Sequence, residues 1–357
     1  MSIEQIRFRE TLNTMPKKLY RRTVLLGLGL LVPNFATLLS SCRQQPQANT
    51  RDADVQNISD APNTVTIGYQ SGIAYFSLML IKQQKVLEKQ FPNTNIEWKV
   101  LSSPSPIRDG MIANQIQVGA IGVPTFLVGW DRGLNWKLLA GLIHQEFWLV
   151  VNEPTIKSLK DFKPNHKIAV PDPNAVQAVT LRMAAQQQLG TPRALDANLQ
   201  SLSHPLGLAA FKSKQITAHF TSAPFQWQEV EQGGQVIVKS SELFGGLHTG
   251  IGLVTMAKFY SQYPAFNQAL YKAVEDASRL MREQPDEAAK ILAAESEGKL
   301  APDTAKQWLS RKDIQFATDP KGFLGYATFL KNTNEISKST SSINELVLPT
   351  LQGKGGD

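Results

Sequence analysis

Residues 64–123 read TVTIGYQSGIAYFSLMLIKQQKVLEKQFPNTNIEWKVLSSPSPIRDGMIANQIQVGAIGV, and this stretch decides the fold. The β-branched run at 64–69 predicts a strand, and apolar residues at helical spacing over 77–89 predict a helix. A second strand, a helix and a buried strand are expected at 95–100, 105–115 and 118–123. Because strands and helices alternate, we expect a parallel sheet with helices on both faces.

The alternation continues with a helix at 124–129 and a strand at 136–140, and then it starts again. An apolar run at 147–151 opens a second set, which contains strands at 167–170, 216–220 and 236–238 and helices at 157–162, 175–189, 205–212 and 224–232. A strand at 250–255 rejoins the first set, and four helical stretches follow between 266 and 330. We therefore predict an α/β fold of two doubly wound lobes, joined by two crossover segments, with a ligand cleft between them. The predicted boundaries are 64–150 plus 246–357 for lobe 1 and 151–245 for lobe 2.

Ligands of open α/β sheets bind at the carboxyl ends of the strands, so the cleft between the lobes is the expected binding site. Hinge closure about the crossovers would trap the ligand. Candidate binding residues follow predicted strands, open predicted helices or lie near the crossovers: Tyr75, Phe76, Ser103, Ser105, Pro124, Thr125, Trp148, Asn174, Gln177, Ser222, Phe225 and His248. Each also has a plainer interpretation, such as helix capping for the serines or a buried hinge residue for Trp148.

The first 41 residues have the layout of a lipoprotein signal peptide. A basic stretch at 17–22 precedes an apolar run at 24–32, and Leu39-Ser40-Ser41-Cys42 resembles the bacterial lipobox. A transmembrane helix is disfavoured because Pro33 interrupts the run well short of the ~20 apolar residues that a span needs. We predict lipidation at Cys42, a flexible polar tether over 42–63 and location on the periplasmic side of the inner membrane or at the cell surface. The paired Arg21 and Arg22 leave export by the general or the twin-arginine route open.

Charge and composition exclude several other functions. The formal net charge is +7, but the leader contributes six basic against two acidic residues, and no basic run with interleaved aromatics follows it. A nucleic-acid partner is therefore not expected. A single cysteine allows neither an intramolecular disulfide nor a cysteine metal site, and the histidines lack zinc spacing. We expect no metal, no cofactor and no catalytic residues. The histidines are His144, His166, His204, His219 and His248.

From about residue 64 to 350 the chain resembles periplasmic binding proteins of the nitrate/sulfonate/taurine importer family. The resemblance is carried by GYQSGIAYFSLMLIKQQK (68–85), SSPSPIRDGMIANQIQVG (102–119), IKSLKDFKPNHKIAVP (156–171) and ITAHFTSAPF (216–225). The chain departs from the family pattern at Asn114, Gln117, Leu206 and Ala223. The resemblance implies a monomeric solute-binding protein without catalysis that delivers a small ligand to an ABC permease and its ATPase. Its ligands span sulfonates, nitrate-like anions and heterocyclic vitamin precursors.

Two other functions fit the same fold. A ligand-sensing domain outside the cytoplasm would look the same from this chain. An enzyme similar to the family's pyrimidine-synthesising relatives of thiamine metabolism would need a cysteine-rich segment, which the sequence does not contain. Apart from Arg108 inside a helix, the presumed cleft loops carry no Arg or Lys. We therefore expect a neutral or singly charged ligand, held by hydroxyls, helix ends and aromatic walls.

Overall fold

The structure is a computed structural model, and it describes residues 61–355 of the chain. The predicted signal peptide and the lipidation site Cys42 lie outside the described residues. The predicted tether does so as well, except for its last three residues.

The described chain alternates strands and helices. The strands are, in chain order, Thr64–Tyr69 (β1), Asn95–Val100 (β2), Val118–Gly122 (β3), Trp136–Gly141 (β4), His144–Gln145 (β5), Trp148–Val151 (β6), Ile168–Val170 (β7), Leu199–Ser201 (β8), Ala218–Thr221 (β9), Gln235–Lys239 (β10), His248–Thr249 (β11), Ile251–Met256 (β12) and Ile314–Gln315 (β13). The helices are Phe76–Gln83 (α1), Val86–Gln90 (α2), Pro104–Ile112 (α3), Val123–Asp131 (α4), Val176–Leu189 (α5), His204–Lys212 (α6), Phe225–Glu231 (α7), Ser240–Phe244 (α8), Ala257–Gln262 (α9), Pro264–Glu283 (α10), Pro285–Glu295 (α11), Pro302–Leu309 (α12) and Phe323–Asn332 (α13).

The first lobe is built on a five-stranded sheet in the order β2-β1-β3-β12-β4. β1 is parallel to β2 and β3, whereas β12 is antiparallel to β3 and β4. All five residues of β3 are buried, as expected for a central strand with helices on both faces. β12 follows the second lobe in the sequence, so the first lobe is assembled from two separate segments.

The second lobe is built on another five-stranded sheet, in the order β10-β6-β9-β7-β8. β7 is parallel to β8 and β9, while β6 is antiparallel to β9 and β10. β6 begins at Trp148, so the second sheet starts a few residues before the predicted boundary at 150/151.

Two short strands carry the chain between the lobes. β5 leads from the first sheet to the second, and β11 leads back. They pair antiparallel, with Gln145 opposite His248, and β13 pairs on the other side of β5. The crossovers are therefore joined in a three-stranded sheet of their own.

The α/β fold of two lobes is confirmed, and the differences from the predicted elements are local. The helix expected at 77–89 is two helices, because Lys85 takes a left-handed backbone conformation with φ 52 between them. The helix expected to close at Gly190 does so, with φ 73 at that glycine. β8 and α8 were missed because each is short, and runs of three to five residues carry little periodicity.

Candidate functional site

The carboxyl ends of β1, β3 and β7 meet between the two lobes. Gln70 follows β1, α4 begins directly after β3, and α5 begins six residues after β7. The N-terminus of α6, which follows β8, lies on the same side. This is the place where the topology predicts a ligand site.

A small cavity of about 10 Å³ lies between these ends. It has room for about one water molecule. Its wall combines residues of both lobes, namely Gln70, Tyr75, Pro104, Gly122 and Ile251 from the first and Ala175, Val176, Gln177 and His204 from the second. We call it the inner cavity.

Tyr75 supplies a hydroxyl to the inner cavity from the first lobe. The Gln70 side-chain amide donates to the Tyr75 hydroxyl oxygen at 3.0 Å, which leaves the hydroxyl proton for another acceptor. Burial raises the pKa of Tyr75 well above its ordinary value, so the hydroxyl stays protonated. Tyr75 is therefore a donor on the cavity wall.

His204 lines the inner cavity from the second lobe. Its Nδ1 lies 2.7 Å from the Thr221 hydroxyl, and its ring stacks on Phe225 with centroids 5.4 Å apart. Burial lowers the pKa of His204 to about 3, and the neighbouring His219 ring acts in the same direction. The imidazole is thus neutral. Gln177 Nε2 lies 3.5 Å from His204 Nε2, so the orientation of this amide and the histidine tautomer determine each other.

The N-terminus of α5 provides the backbone donors. The N–H groups of Val176, Gln177 and Ala178 belong to the first turn, which has no partners inside the helix. α5 has 14 residues, long enough for its N-terminus to favour a negative charge. α3 offers less, because Pro104 and Pro106 lack N–H groups in its first turn.

A second cavity of about 160 Å³ lies beside the first. Gln70 and His204 line both cavities, so these two side chains stand at the boundary between them. The rest of its wall comes from the loop after β1, the end of β2 and the start of α6, namely Ser71, Val100, Leu101, Ser102, Ser203 and Pro205. We call it the outer cavity.

Direct hydrogen bonds hold the two lobes together around the inner cavity. Ser105 in α3 donates to Asp172 at 2.7 Å, and Thr125 in α4 donates to the carbonyl of Asn174 at 3.1 Å. The backbone N–H of Ile73 donates to the carbonyl of Ala223 at 3.3 Å. The structure is therefore a closed form of the cleft.

Five of the candidate residues from the sequence either line the inner cavity or bond one lobe to the other. Tyr75 and Gln177 line the inner cavity. Ser105, Thr125 and Asn174 lie across the cleft and bond one lobe to the other. Ala175 is the N-cap of α5 and makes no capping side-chain bond. Ser103 stands at the N-cap of α3 but makes no capping side-chain bond.

The remaining candidates do not line either cavity. Phe76, Pro124 and Ser222 are buried, and the Phe225 ring stacks on the His204 ring. Trp148 is buried in β6, with Lys239 Nζ 5.2 Å from its ring centroid. His248 lies in the crossover strand β11, stacks on Phe244 and bonds the Tyr326 hydroxyl at 3.1 Å. Trp148 and His248 therefore contact other side chains of the protein, and we do not assign them as ligand contacts.

Sequence reasoning missed Gln70 and His204 as cavity residues. Gln70 directly follows a predicted strand, so the strand-end rule that selected Tyr75 could have selected it. His204 was considered only for metal binding, although it opens a helix after a strand. No sequence signal marked β8, which places His204, and this is why it was overlooked.

Larger hollows exist in the first lobe, but they lie away from the strand ends. One of about 450 Å³ is lined by Thr64, Gln117 and Met256, which lie at the opposite ends of the strands from the cleft. Another of about 700 Å³ lies along α10.

Within residues 61–355, no group of three or more His, Cys, Asp or Glu side chains is arranged to hold a metal ion. In the same part of the chain, no helix has the length and apolar character needed to cross a membrane.

Known structures share this architecture. The alkanesulfonate-binding protein of Xanthomonas axonopodis pv. citri, solved bound to MOPS, matches with a TM-score of 0.64 at 21% identity, over 78% of this chain and 96% of that one. The periplasmic nitrate-binding protein of Synechocystis PCC 6803 matches with a TM-score of 0.65 at 16% identity, over 83% and 87%. The fold is that of a periplasmic binding protein.

Sequence comparison leads to a family. A protein of Escherichia coli (strain K12), named as an aliphatic sulfonates-binding protein, is 24% identical over 236 residues, which are 65% of this chain and 72% of that one. The model of the NMT1-like family matches residues 59–295, well over half of the chain. This chain belongs to the NMT1-like family. The predicted resemblance to nitrate/sulfonate-type binding proteins, and with it the class of solute-binding protein, is confirmed.

Proposed function

We propose that this chain is the solute-binding component of an ABC importer and that its ligand is a small organic anion with one negative charge, of the sulfonate class. The relatives named for binding aliphatic sulfonates and alkanesulfonates support the ligand class. The cavity between the lobes supports the mode of binding. Capture is by closure of the lobes and delivery is to a membrane permease with its ATPase.

The observation that carries the proposal is the chemistry of the inner cavity wall. It combines the N-terminus of α5 with the Tyr75 hydroxyl, the Gln177 amide and the neutral His204 imidazole. Helix N-termini bind anions through backbone N–H groups and the helix dipole. None of the described residues that line the two cavities is a Lys or Arg. One negative charge suits this wall, whereas a dianion would lack a compensating cation.

Closure follows from the size of the inner cavity. A space of about 10 Å³ is too small for a sulfonate group, so the ligand enters while the lobes are apart. The bonds Ser105–Asp172 and Thr125–Asn174 then form at the edge of the site as the lobes meet. Ligand binding therefore favours a closed form only slightly more open than this one.

The location and partners complete the proposal. The signal peptide at 1–41 and lipidation at Cys42 would place the protein outside the cytoplasm, anchored to a membrane by acyl chains. There it acts as a monomer, without a catalytic step, and hands its ligand to the permease. The polar residues at 42–63 serve as the tether.

The test is a thermal-shift titration of the purified full-length chain with methanesulfonate, butanesulfonate, nitrate and phosphate. A ligand that binds only the folded state raises the melting temperature with the logarithm of its concentration above Kd. We expect the sulfonates to raise it and phosphate, mostly a dianion above pH 7.5, to have no effect. A shift with phosphate and none with the sulfonates would contradict the proposal.

A further inference from the structure

The three-stranded sheet of β5, β11 and β13, which we call the hinge sheet, contains a buried amide without a partner. Gln145 lies in its middle strand, and its side chain is 0% exposed. Among residues 61–355, neither its Oε1 nor its Nε2 has a hydrogen-bond partner. At the adjacent position of the same strand, His144 Nε2 lies 2.9 Å from the carbonyl oxygen of Asp319. The unpaired amide is therefore specific to Gln145 and is not a general property of the strand.

Gln145 shares one face of the hinge sheet with two residues of the neighbouring strands. It lies opposite His248 in β11 and opposite Ile314 in β13, and directly opposed residues of antiparallel strands point to the same face. The His248 ring stacks on Phe244, with centroids 4.0 Å apart, and its Nε2 lies 3.1 Å from the Tyr326 hydroxyl. This face is therefore packed beneath α8 of the second lobe and α13 of the first.

The packing over this face depends on the closed arrangement of the lobes. The Tyr326 hydroxyl also lies 3.3 Å from the Thr180 hydroxyl, so α13 of the first lobe meets α5 of the second beside the hinge sheet. The chain passes between the lobes through β5 and β11, so the lobes separate by rotating about these strands. Such a rotation would part α13 from α5 above the face that carries Gln145.

We propose that Gln145 biases the hinge towards the open form, because its amide is unpaired when the lobes are closed and hydrated when they are open. A buried polar group without a partner costs about 1–3 kcal/mol, which is about a 5- to 150-fold effect on the open–closed equilibrium. Closure of the lobes therefore needs the free energy of ligand binding. The proposal rests on the proposed function for the identity of the ligand, whereas the bias itself is measured without one.

The substitution Gln145→Met tests the proposal, because it keeps an unbranched side chain of similar length and removes both polar atoms. An apolar group of the same shape in place of an unpaired polar one is neutral or stabilising where it is buried. In small-angle scattering of the ligand-free full-length chain, we expect a smaller radius of gyration and an open-to-closed ratio at least fivefold lower than in the wild type. Because the ligand enters while the lobes are apart, butanesulfonate should also associate more slowly.

A second variant and a control separate the hinge from other effects of burial. Gln145→Glu places a carboxylate at the same position, which at pH 8 is costlier to bury than an amide. Its radius of gyration should be larger than that of Gln145→Met and no smaller than that of the wild type. Ser278→Ala is the matched control, because the Ser278 hydroxyl is also buried and unpaired among the described residues but lies in α10, inside the first lobe. It should leave the radius of gyration unchanged.

Two outcomes would overturn the proposal. An unchanged or larger radius for Gln145→Met would show that the amide is paired in the closed form, for example by a buried water. An equal decrease for Ser278→Ala would show that the effect does not belong to the hinge. If no sulfonate binds to any of these proteins, the proposed function has failed, but the scattering of the ligand-free proteins still decides the role of Gln145.

Discussion

Tyr75 and Gln70 show how a cleft side chain can be prepared before its ligand arrives. The Gln70 amide fills one lone pair of the Tyr75 oxygen, and the first lobe buries the ring to 3% exposure. Such a hydroxyl has a fixed direction, so little rotamer entropy is lost when it donates to a ligand. In the proposed function, this hydroxyl donates to the anion.

Replacement Tyr75→Phe removes this donor and little else. A hydrogen bond to a charged group is worth about 1.5–3 kcal/mol, so sulfonate affinity should fall about 10- to 100-fold. The Gln70 amide also loses a partner, so the melting temperature without ligand should be measured alongside. Tyr263→Phe, at the start of α10 and outside the cleft, is the control. Equal affinity of wild type and Tyr75→Phe would remove Tyr75 from the site.

His219 and Glu229 form a buried pair one layer below His204. Nδ1 of His219 lies 2.5 Å from Oε1 of Glu229, and neither side chain is exposed. Burial raises the pKa of Glu229 to about 9, although Lys212 acts in the opposite direction, and burial lowers that of His219 to about 3. The pair is therefore neutral, with the carboxylic acid donating to the imidazole.

This pair predicts a loss of stability in alkali. The pKa of Glu229 is raised above its ordinary value of 4.5, so its folded form keeps a proton that the unfolded chain has lost. Its contribution to stability is present below pH 4.5 and is lost as the pH rises towards 9. Burial keeps His204, His219 and His248 neutral in the fold by lowering their pKa, and above pH 7.5 their ordinary pKa of 6.5 leaves them neutral in the unfolded chain as well, so they do not offset it. We expect the free energy of unfolding to fall by up to about 1.4 kcal/mol per pH unit between pH 7.5 and 9.

The substitution Glu229→Gln tests this origin, because an amide keeps a donor for His219 but does not ionise. Urea unfolding between pH 7.5 and 9 should give a smaller slope of the unfolding free energy against pH for this variant than for the wild type. Glu231→Gln, exposed on the same helix, should keep the wild-type slope. A decline that is identical in all three proteins would show that another group causes it.

Helices and strands were predictable where their patterns are long. β1, β2 and β3 and the long helix α5 were found within a residue or two, because β-branched runs, helical spacing and the Gly190 stop are local signals. The residues of the cleft were harder to predict from the sequence. His204 reaches the inner cavity only because β8 lines up beside β7, and a three-residue strand has no recognisable pattern. Which strand ends meet is set by the sheet order, and that order depends on contacts far apart in the sequence.

Tyr326 links two helices of different lobes. It lies in α13, which packs on α4, and its buried hydroxyl is 3.3 Å from the Thr180 hydroxyl in α5 and 3.1 Å from His248 Nε2 in β11. The bond to Thr180 joins the two lobes beside the crossovers, whereas the bond to His248 joins α13 to a crossover strand. The Thr180 bond therefore favours the closed arrangement.

The variant Tyr326→Phe should shift the protein towards open forms. A lost hydrogen bond costs about 1 kcal/mol, which is about fivefold in the open–closed equilibrium. Small-angle scattering without ligand should then give a larger radius of gyration. Tyr271→Phe removes a tyrosine hydroxyl that bonds Thr318 and Lys354 within the first lobe, and is the control. No change of radius in either variant would refute the role of Tyr326.

The molecule as a whole depends on its predicted attachment as much as on its cleft. A ligand-loaded protein held by acyl chains stays near the permease, which raises its effective concentration there. Cys42→Ser removes the thiol that accepts the lipid. Fractionation of cells that express the two proteins should find the wild type with membranes and the variant in the soluble fraction, with equal thermal shifts for sulfonates. Wild type in the soluble fraction would argue against the lipid anchor.

The prolines at the start of α3 and α4 have a consequence for the sequence of events on binding. Pro104, Pro106 and Pro124 deprive the first lobe of backbone donors where it meets the cleft, while α5 of the second lobe keeps its own. Under the proposed function, an anion therefore binds first to the second lobe, before the lobes close. The first lobe then closes over the bound anion and brings Tyr75 and the serine of α3 to the site.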